Sequence, residues 1–264
     1  MADSVNESLE GYPRYLEPGF TPFDPLELAK LTEQIVCDGN RRKYTKFSCP
    51  RMYGGIATGY ACGCCLRCIF CWVHWSRDFP QKHGRFKSPG EVFDELSQMA
   101  RRKRVDQLRI SGAEPTLGKS HLLTLLELVE RSRFRLFILE TNGILIGADS
   151  GYARKIARFE KVHTRVALKA GTPEAFTRKT GAKPEFFELP FQGIENLLNA
   201  GVSCHVAAMS ADSRFMTEQE RKSLFERLEA IHPALVRNLE EEIVAPYPAA
   251  RDRLRHAGVE VDWE

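Results

Sequence analysis

Five of the chain's eight cysteines fall between Cys62 and Cys71, in the run CGCCLRCIFC. A disulfide framework spreads its thiols along a chain, whereas a compact run marks a metal site in a reducing compartment. The run can be parsed in two ways. Cys62, Cys65, Cys68 and Cys71 make C-x2-C-x2-C-x2-C, close to the bacterial ferredoxin run but with a different last spacing and no proline after it. Cys64, Cys68 and Cys71 make C-x3-C-x2-C, which gives a four-iron cluster three thiolates and leaves one iron open. A structural zinc site favours two separated knuckles over one run. Spacing alone leaves these alternatives open.

The elements that must position these thiols follow from hydrophobic period and capping. At 264 residues and 43% hydrophobic content the chain suits a single α/β domain of barrel size. A net charge of +3 is too small to argue for nucleic acid. No apolar run reaches the roughly eighteen residues of a membrane span, and MADSVNESLEGYPRY lacks the apolar centre of a signal peptide, so a cytoplasmic protein without a membrane partner is expected. After the cysteines, strands and helices alternate. Ser88-Pro89-Gly90-Glu91 is a capping box opening a helix with Val92, Phe93, Leu96, Met99 and Ala100 on its apolar face. Strands are expected at VDQLRI, RLFILE, TRVALK, SCHVAAM and, last, LVRNLEEEIV. Helices are expected at SHLLTLLELVERS, around Tyr152 to Phe159, from Thr172-Pro173 to Gly181, from Phe191 to Ala200 and from Thr217 to Leu228. This alternation implies parallel βαβ units with a site at the strands' C-terminal ends. Residues 1–48 read as an N-terminal extension with one helix, capped by Asp24-Pro25 and carrying Leu28, Leu31 and Ile35. Residues 49–264 read as the core domain.

Five segments then resemble one family. Cys64-x3-Cys68-x-Phe70-Cys71, the turn Ser111-Gly112-Ala113-Glu114-Pro115, LETNG, VALKAGTPEAFTRKTGA and EEIVAPYPAARDRLRHAG occur in order. Together they are similar to the radical S-adenosylmethionine (SAM) superfamily, and to its pyruvate formate-lyase activating enzyme-like branch. The resemblance implies a partial (β/α)6 barrel. It implies that Cys64, Cys68 and Cys71 hold a [4Fe-4S] cluster whose open iron takes the amino and carboxylate groups of SAM, with Cys62 and Cys65 outside the ligand set. It places Gly112, Ala113, Glu114 and Pro115 at the methionine moiety, the backbone near Phe70 at the adenine edge and Lys169 at the SAM carboxylate. Glu140 and Asn142 would share that basin.

Departures limit what carries over. The activating enzymes' His-Asn after the last cysteine is Trp72-Val73 here, their histidine after the late tyrosine is Pro248, and the aspartate of their cation site is Ala167. Arg165 lies two residues before it, on the same strand face. A fixed guanidinium there would replace the cation, or would merely pair with Glu140. The function expected is reductive cleavage of SAM followed by hydrogen-atom abstraction through a 5′-deoxyadenosyl radical, with a flavodoxin- or ferredoxin-type electron donor. The substrate is left open among protein or peptide, RNA and small molecule, a glycyl-radical enzyme being one case. The alternative class is a non-catalytic iron-sulfur electron carrier or scaffold. Arg101-Arg102-Lys103-Arg104 reads as a solvated helix end rather than an RNA site. His74, Trp75 and Arg77 lie near enough to the cysteines to face substrate. Only Cys204 follows Cys71, too little for a second cluster.

Overall fold

The computed structural model describes residues 11–263, so the first ten residues of the expected extension lie outside the described residues. Helix α1 (Pro25–Val36) begins where the Asp24 carboxylate accepts hydrogen bonds from the Leu26 and Glu27 amides. It leads into β1 (Cys37–Asp38), β2 (Arg41–Ser48), β3 (Ala57–Ala61) and, after the cysteine loop, β4 (Arg85–Lys87). Alternation follows: α2 (Pro89–Lys103), β5 (Gln107–Gly112), α3 (Lys119–Glu130), β6 (Leu136–Thr141), α4 (Ile144–Ala148), α5 (Ser150–Ile156), β7 (Val162–Leu168), α6 (Pro173–Thr180), α7 (Glu188–Asn199), β8 (Ser203–Ala208), α8 (Glu218–Ile231), α9 (Pro233–Arg237), β9 (Glu240–Glu241) and α10 (Pro248–His256). The expected capping box forms, with Ser88 Oγ accepting from the Glu91 amide and Glu91 accepting from the Ser88 amide.

Strands β3, β5, β6, β7, β8 and β9 pair in that order, all parallel. With helices between them they form the expected α/β fold, an open partial (β/α)6 barrel. On the other side of β3 the sheet turns antiparallel through β2, which carries β1 and β4. The register sets Thr58, Arg109 and Ile138 side by side, and likewise Glu140, Arg165 and His205. Side chains alternate along a strand, so Arg109, Ser111, Glu140, Arg165 and Ala167 turn to one concave face. Among the described residues no helix is long and apolar enough to cross a membrane.

Four expectations are corrected. The segment 235–244 is not one strand. Pro233 starts α9, with His232 Nδ1 accepting from the Ala234 amide, and only Glu240 and Glu241 pair with Ala207 and Ala208. The helix expected from Tyr152 to Phe159 runs instead from Ser150 to Ile156, because Asp149 caps it through the Gly151 amide, and an unexpected short helix, α4, precedes it. Leu31 is exposed rather than packed. The extension holds more than a helix: β2 hydrogen-bonds to β3, so part of the extension belongs to the sheet.

His121, on α3, is buried where its ring bonds to Tyr44 Oη (3.0 Å) and the Asn40 carbonyl (2.9 Å). Burial pulls its pKa down to about 4. Its folded pKa lies below its unfolded value, so the unfolded chain binds more protons between about pH 6.5 and 4. Stability is therefore lost as pH falls through that window, by no more than about 3 kcal/mol. Chemical denaturation at several pH values should show that slope, and His121→Gln should reduce it.

Candidate active site at the strand ends

A cavity of about 400 Å³ opens at the C-terminal ends of the parallel strands. Of the eight cysteines, only Cys64, Cys68 and Cys71 line it. Cys62 follows β3 into a separate apolar cluster with Tyr12, Leu28, Ile35 and Val36. Cys65 is fully buried, and its sulfur accepts a hydrogen bond from Asn142 Nδ2 at 3.2 Å. The adjacent thiols polarise one another: the hydrogen bond between them pulls the Cys64 thiol down and pushes the Cys65 thiol up. Burial raises Cys68 to about 12, against the opposing charge of Lys169. Gly63 precedes the run at φ +74°, and a Cβ there would meet Thr32 Cγ2 at 2.5 Å, so α1 presses directly on the loop.

The turn after β5 is tied to the turn after β6 by one carboxylate. Glu114, 1% exposed, accepts from the Thr116 amide (3.0 Å) and hydroxyl (2.6 Å), the Thr141 hydroxyl (2.8 Å) and the Asn142 amide (2.8 Å). Gly112 sits at φ +98°, with its missing Cβ 3.0 Å from the Ala61 carbonyl, so β3 and the turn approach closely. Gly112, Ala113, Glu114, Glu140, Asn142, Arg165, Lys169 and Phe70 line the cavity, whereas Pro115 is buried outside its lining. The Phe70 ring packs edge-to-face on Phe215 at 5.8 Å. Lys169 makes no ion pair among the described residues. Arg165 does not pair with Glu140: its Nε bonds to Glu240 at 2.8 Å and its Nη2 to Glu242 at 2.7 Å. Glu140 is held instead by Arg109 (2.8 Å) and Ser111.

Met52, Tyr60 and Met209 line the cavity without any sequence signal, and Ile243, Val244 and Tyr247 of the late segment join them with Trp72. Among the residues flagged beside the cysteines, Arg77 reaches the cavity, while His74 and Trp75 pack edge-to-face on each other outside its lining. The stretch Arg101 to Arg104 is exposed and ends α2 with Arg104 at φ +56°.

The family model of the radical SAM superfamily matches residues 60–228, more than half of the chain. The chain belongs to the radical SAM superfamily. No curated protein matches it. Among solved structures, one similar in fold is Streptococcus suis SuiB bound to precursor peptide SuiA, with TM-score 0.52 and 18% identity over 67% of this chain and 36% of SuiB. This chain therefore spans about a third of SuiB's length. A spore photoproduct lyase variant with bound AdoMet and dinucleoside spore photoproduct gives TM-score 0.58 and 12% identity over 99% of this chain and 80% of the lyase.

Radical SAM proteins use a [4Fe-4S] cluster and SAM, and the residues present fit both. Three thiols and the unpaired Lys169 ammonium share one cavity. Among the described residues no three His, Cys, Asp or Glu side chains converge on a single ion. A cubane does not require that, because each thiolate takes a different iron. The buried guanidiniums of Arg42 and Arg67 each keep one nitrogen without a partner, positive charge in excess of its anions.

Proposed function

We propose that this radical SAM protein is an enzyme in which Cys64, Cys68 and Cys71 hold the cluster. The observation that carries the reading is that these three sulfurs alone among eight open onto the strand-end cavity. When bound, the cluster and SAM supply reductive cleavage of the sulfonium and a 5′-deoxyadenosyl radical that takes a hydrogen atom from substrate. The chain's residues do the positioning. Lys169 meets the SAM carboxylate with an ammonium free of other anions. Glu114 holds the two turns that flank the methionine moiety, and Gly112 and Ala113 let backbone approach it. Cys65, buried outside the cavity lining, stays out of the ligand set. Glu140 and Pro115 act behind these residues, Glu140 through Arg109 and Ser111. Phe70, fixed against Phe215, sets the wall on the adenine side. We take residues 49–264 as the catalytic core and 1–48 as an extension, of which α1 braces the cysteine loop and β2 adds to the sheet.

The electron comes from a flavodoxin- or ferredoxin-type donor. The substrate belongs to the protein or peptide, RNA or small-molecule classes, and no contact in the site favours a glycyl-radical enzyme over the others. Anaerobic reconstitution should give a brown, oxygen-sensitive protein with about four irons per chain, and dithionite with SAM should release 5′-deoxyadenosine. A reconstituted protein that takes an electron yet never cleaves SAM is an electron carrier, and the reading fails.

Arg165 supplies a further expectation. Its guanidinium is always charged and is held in a fixed fork by Glu240 and Glu242. SAM cleavage should accordingly be indifferent to sodium or potassium beyond ionic strength, while Arg165→Met with Ala167→Asp should acquire a cation dependence. Stimulation of the parent protein by either ion contradicts this role.

A further inference from the structure

We propose that Arg67, Arg77 and Arg253 form a cradle that fixes the cysteine loop by its backbone carbonyls and raises the reduction potential of the cluster held there. The inference rests on the reading of Cys64, Cys68 and Cys71 as cluster ligands. Each of those cysteines has its carbonyl bonded by one of these arginines. Arg67 Nη1 donates to Cys64 O at 2.8 Å, Arg77 Nη1 to Cys68 O at 2.7 Å, and Arg253 Nη1 to Cys71 O at 2.5 Å. The three come from different places: two from the loop itself and one from α10, 182 residues from the carbonyl it binds. With Arg42 they are the largest fully buried side chains of the protein, Arg67 and Arg77 at 1% and Arg253 at 2% exposure.

Their counter-charge is incomplete. Asp78 is shared by Arg77 and Arg253. Among the described residues Arg67 meets no carboxylate; it donates to the Pro13 carbonyl, lies 4.8 Å from the Tyr12 ring centroid and leaves Nη2 without a partner. Three guanidiniums and one carboxylate leave a buried positive excess, and a buried charge is kept only where something opposite meets it. Three thiolates on a four-iron core supply that charge. Taking one electron from a donor makes the core more negative without forming or breaking a bond. Fixed positive charge near a cluster favours the reduced form, one of the levers that set its potential. Arginine suits the task because it does not lose its proton and binds carbonyls from a planar fork.

A purely structural cradle would tie the loop to α10 and to residues 13–14 without moving the potential. Charge and structure separate by sign. In EPR-monitored potentiometry of the reconstituted full chain, with dithionite as reductant, Arg67→Gln, Arg77→Gln and Arg253→Gln should each lie below the parent. Asp78→Asn should lie above it, and Arg67→Lys should stay near it. Circular dichroism and iron content report folding separately. If a glutamine variant holds no iron while lysine at the same position does, charge is again what matters. Potentials unchanged from the parent in iron-replete variants overturn the inference, as does loss of iron from the lysine and glutamine variants alike. A parent protein that takes up no iron defeats the cluster reading itself, which is a different result.

Discussion

Serine in place of Cys64, Cys68 or Cys71 should reduce iron from about four per chain to near zero and 5′-deoxyadenosine formation to background. Hydroxyl oxygen is a poor substitute for thiolate toward iron, and no cysteine other than these three lines the cavity. Serine at Cys62 or Cys65 should leave both readouts within about twofold of the parent, because neither sulfur reaches the cavity and Asn142 can donate to a hydroxyl as it does to Cys65. Iron analysis and absorbance after reconstitution decide it. Loss of the cluster in Cys65→Ser would restore the ferredoxin-like parsing, in which Cys62 and Cys65 are ligands.

Removing the Glu114 carboxylate should do more than weaken cofactor binding. Its oxygens accept four hydrogen bonds in a site 1% exposed. Glu114→Ala leaves the Thr116, Thr141 and Asn142 donors buried without partners, which costs about 1–3 kcal/mol for each group left unsatisfied. A total of about 3–5 kcal/mol and a fall in Tm of about 10 °C are expected by thermal unfolding. Lys169→Ala is the contrast. With no ion pair to lose, it should unfold like the parent and weaken SAM binding about tenfold to a hundredfold, the worth of one charge-assisted contact. Equal Tm losses in the two variants, or parent-like SAM binding by Lys169→Ala, would contradict these placements.

The elements that carried caps were legible. Thr172-Pro173 opens α6 and Gly181, at φ +78°, closes it, as the residue types imply. The strand-end residues were legible through the resemblance, which implied Glu140, Asn142 and Lys169 in one basin, while alternation added that Arg165 and Ala167 share a face. What escaped was decided by partners distant in sequence. Nothing local tells that Arg42 is 0% exposed inside β2, or that Arg253 returns from α10 to Cys71, because arginine reads as surface wherever no anion is in view. The pairing of Arg165 escaped for a related reason: Glu240 and Glu242 stand 75 and 77 residues away, in a stretch whose apolar content suggested a longer strand.

One end of the sheet is a two-residue strand, β9. An unpaired edge is a template on which a second chain can add itself, and amyloid and domain swapping begin there. Here the template is only two residues long. At the β9 edge it is carried by three successive glutamates, Glu240 to Glu242, so an incoming copy in register would bring like carboxylates together for almost no ladder. The residues that lock Arg165 inside the barrel thereby also keep the sheet from growing outward.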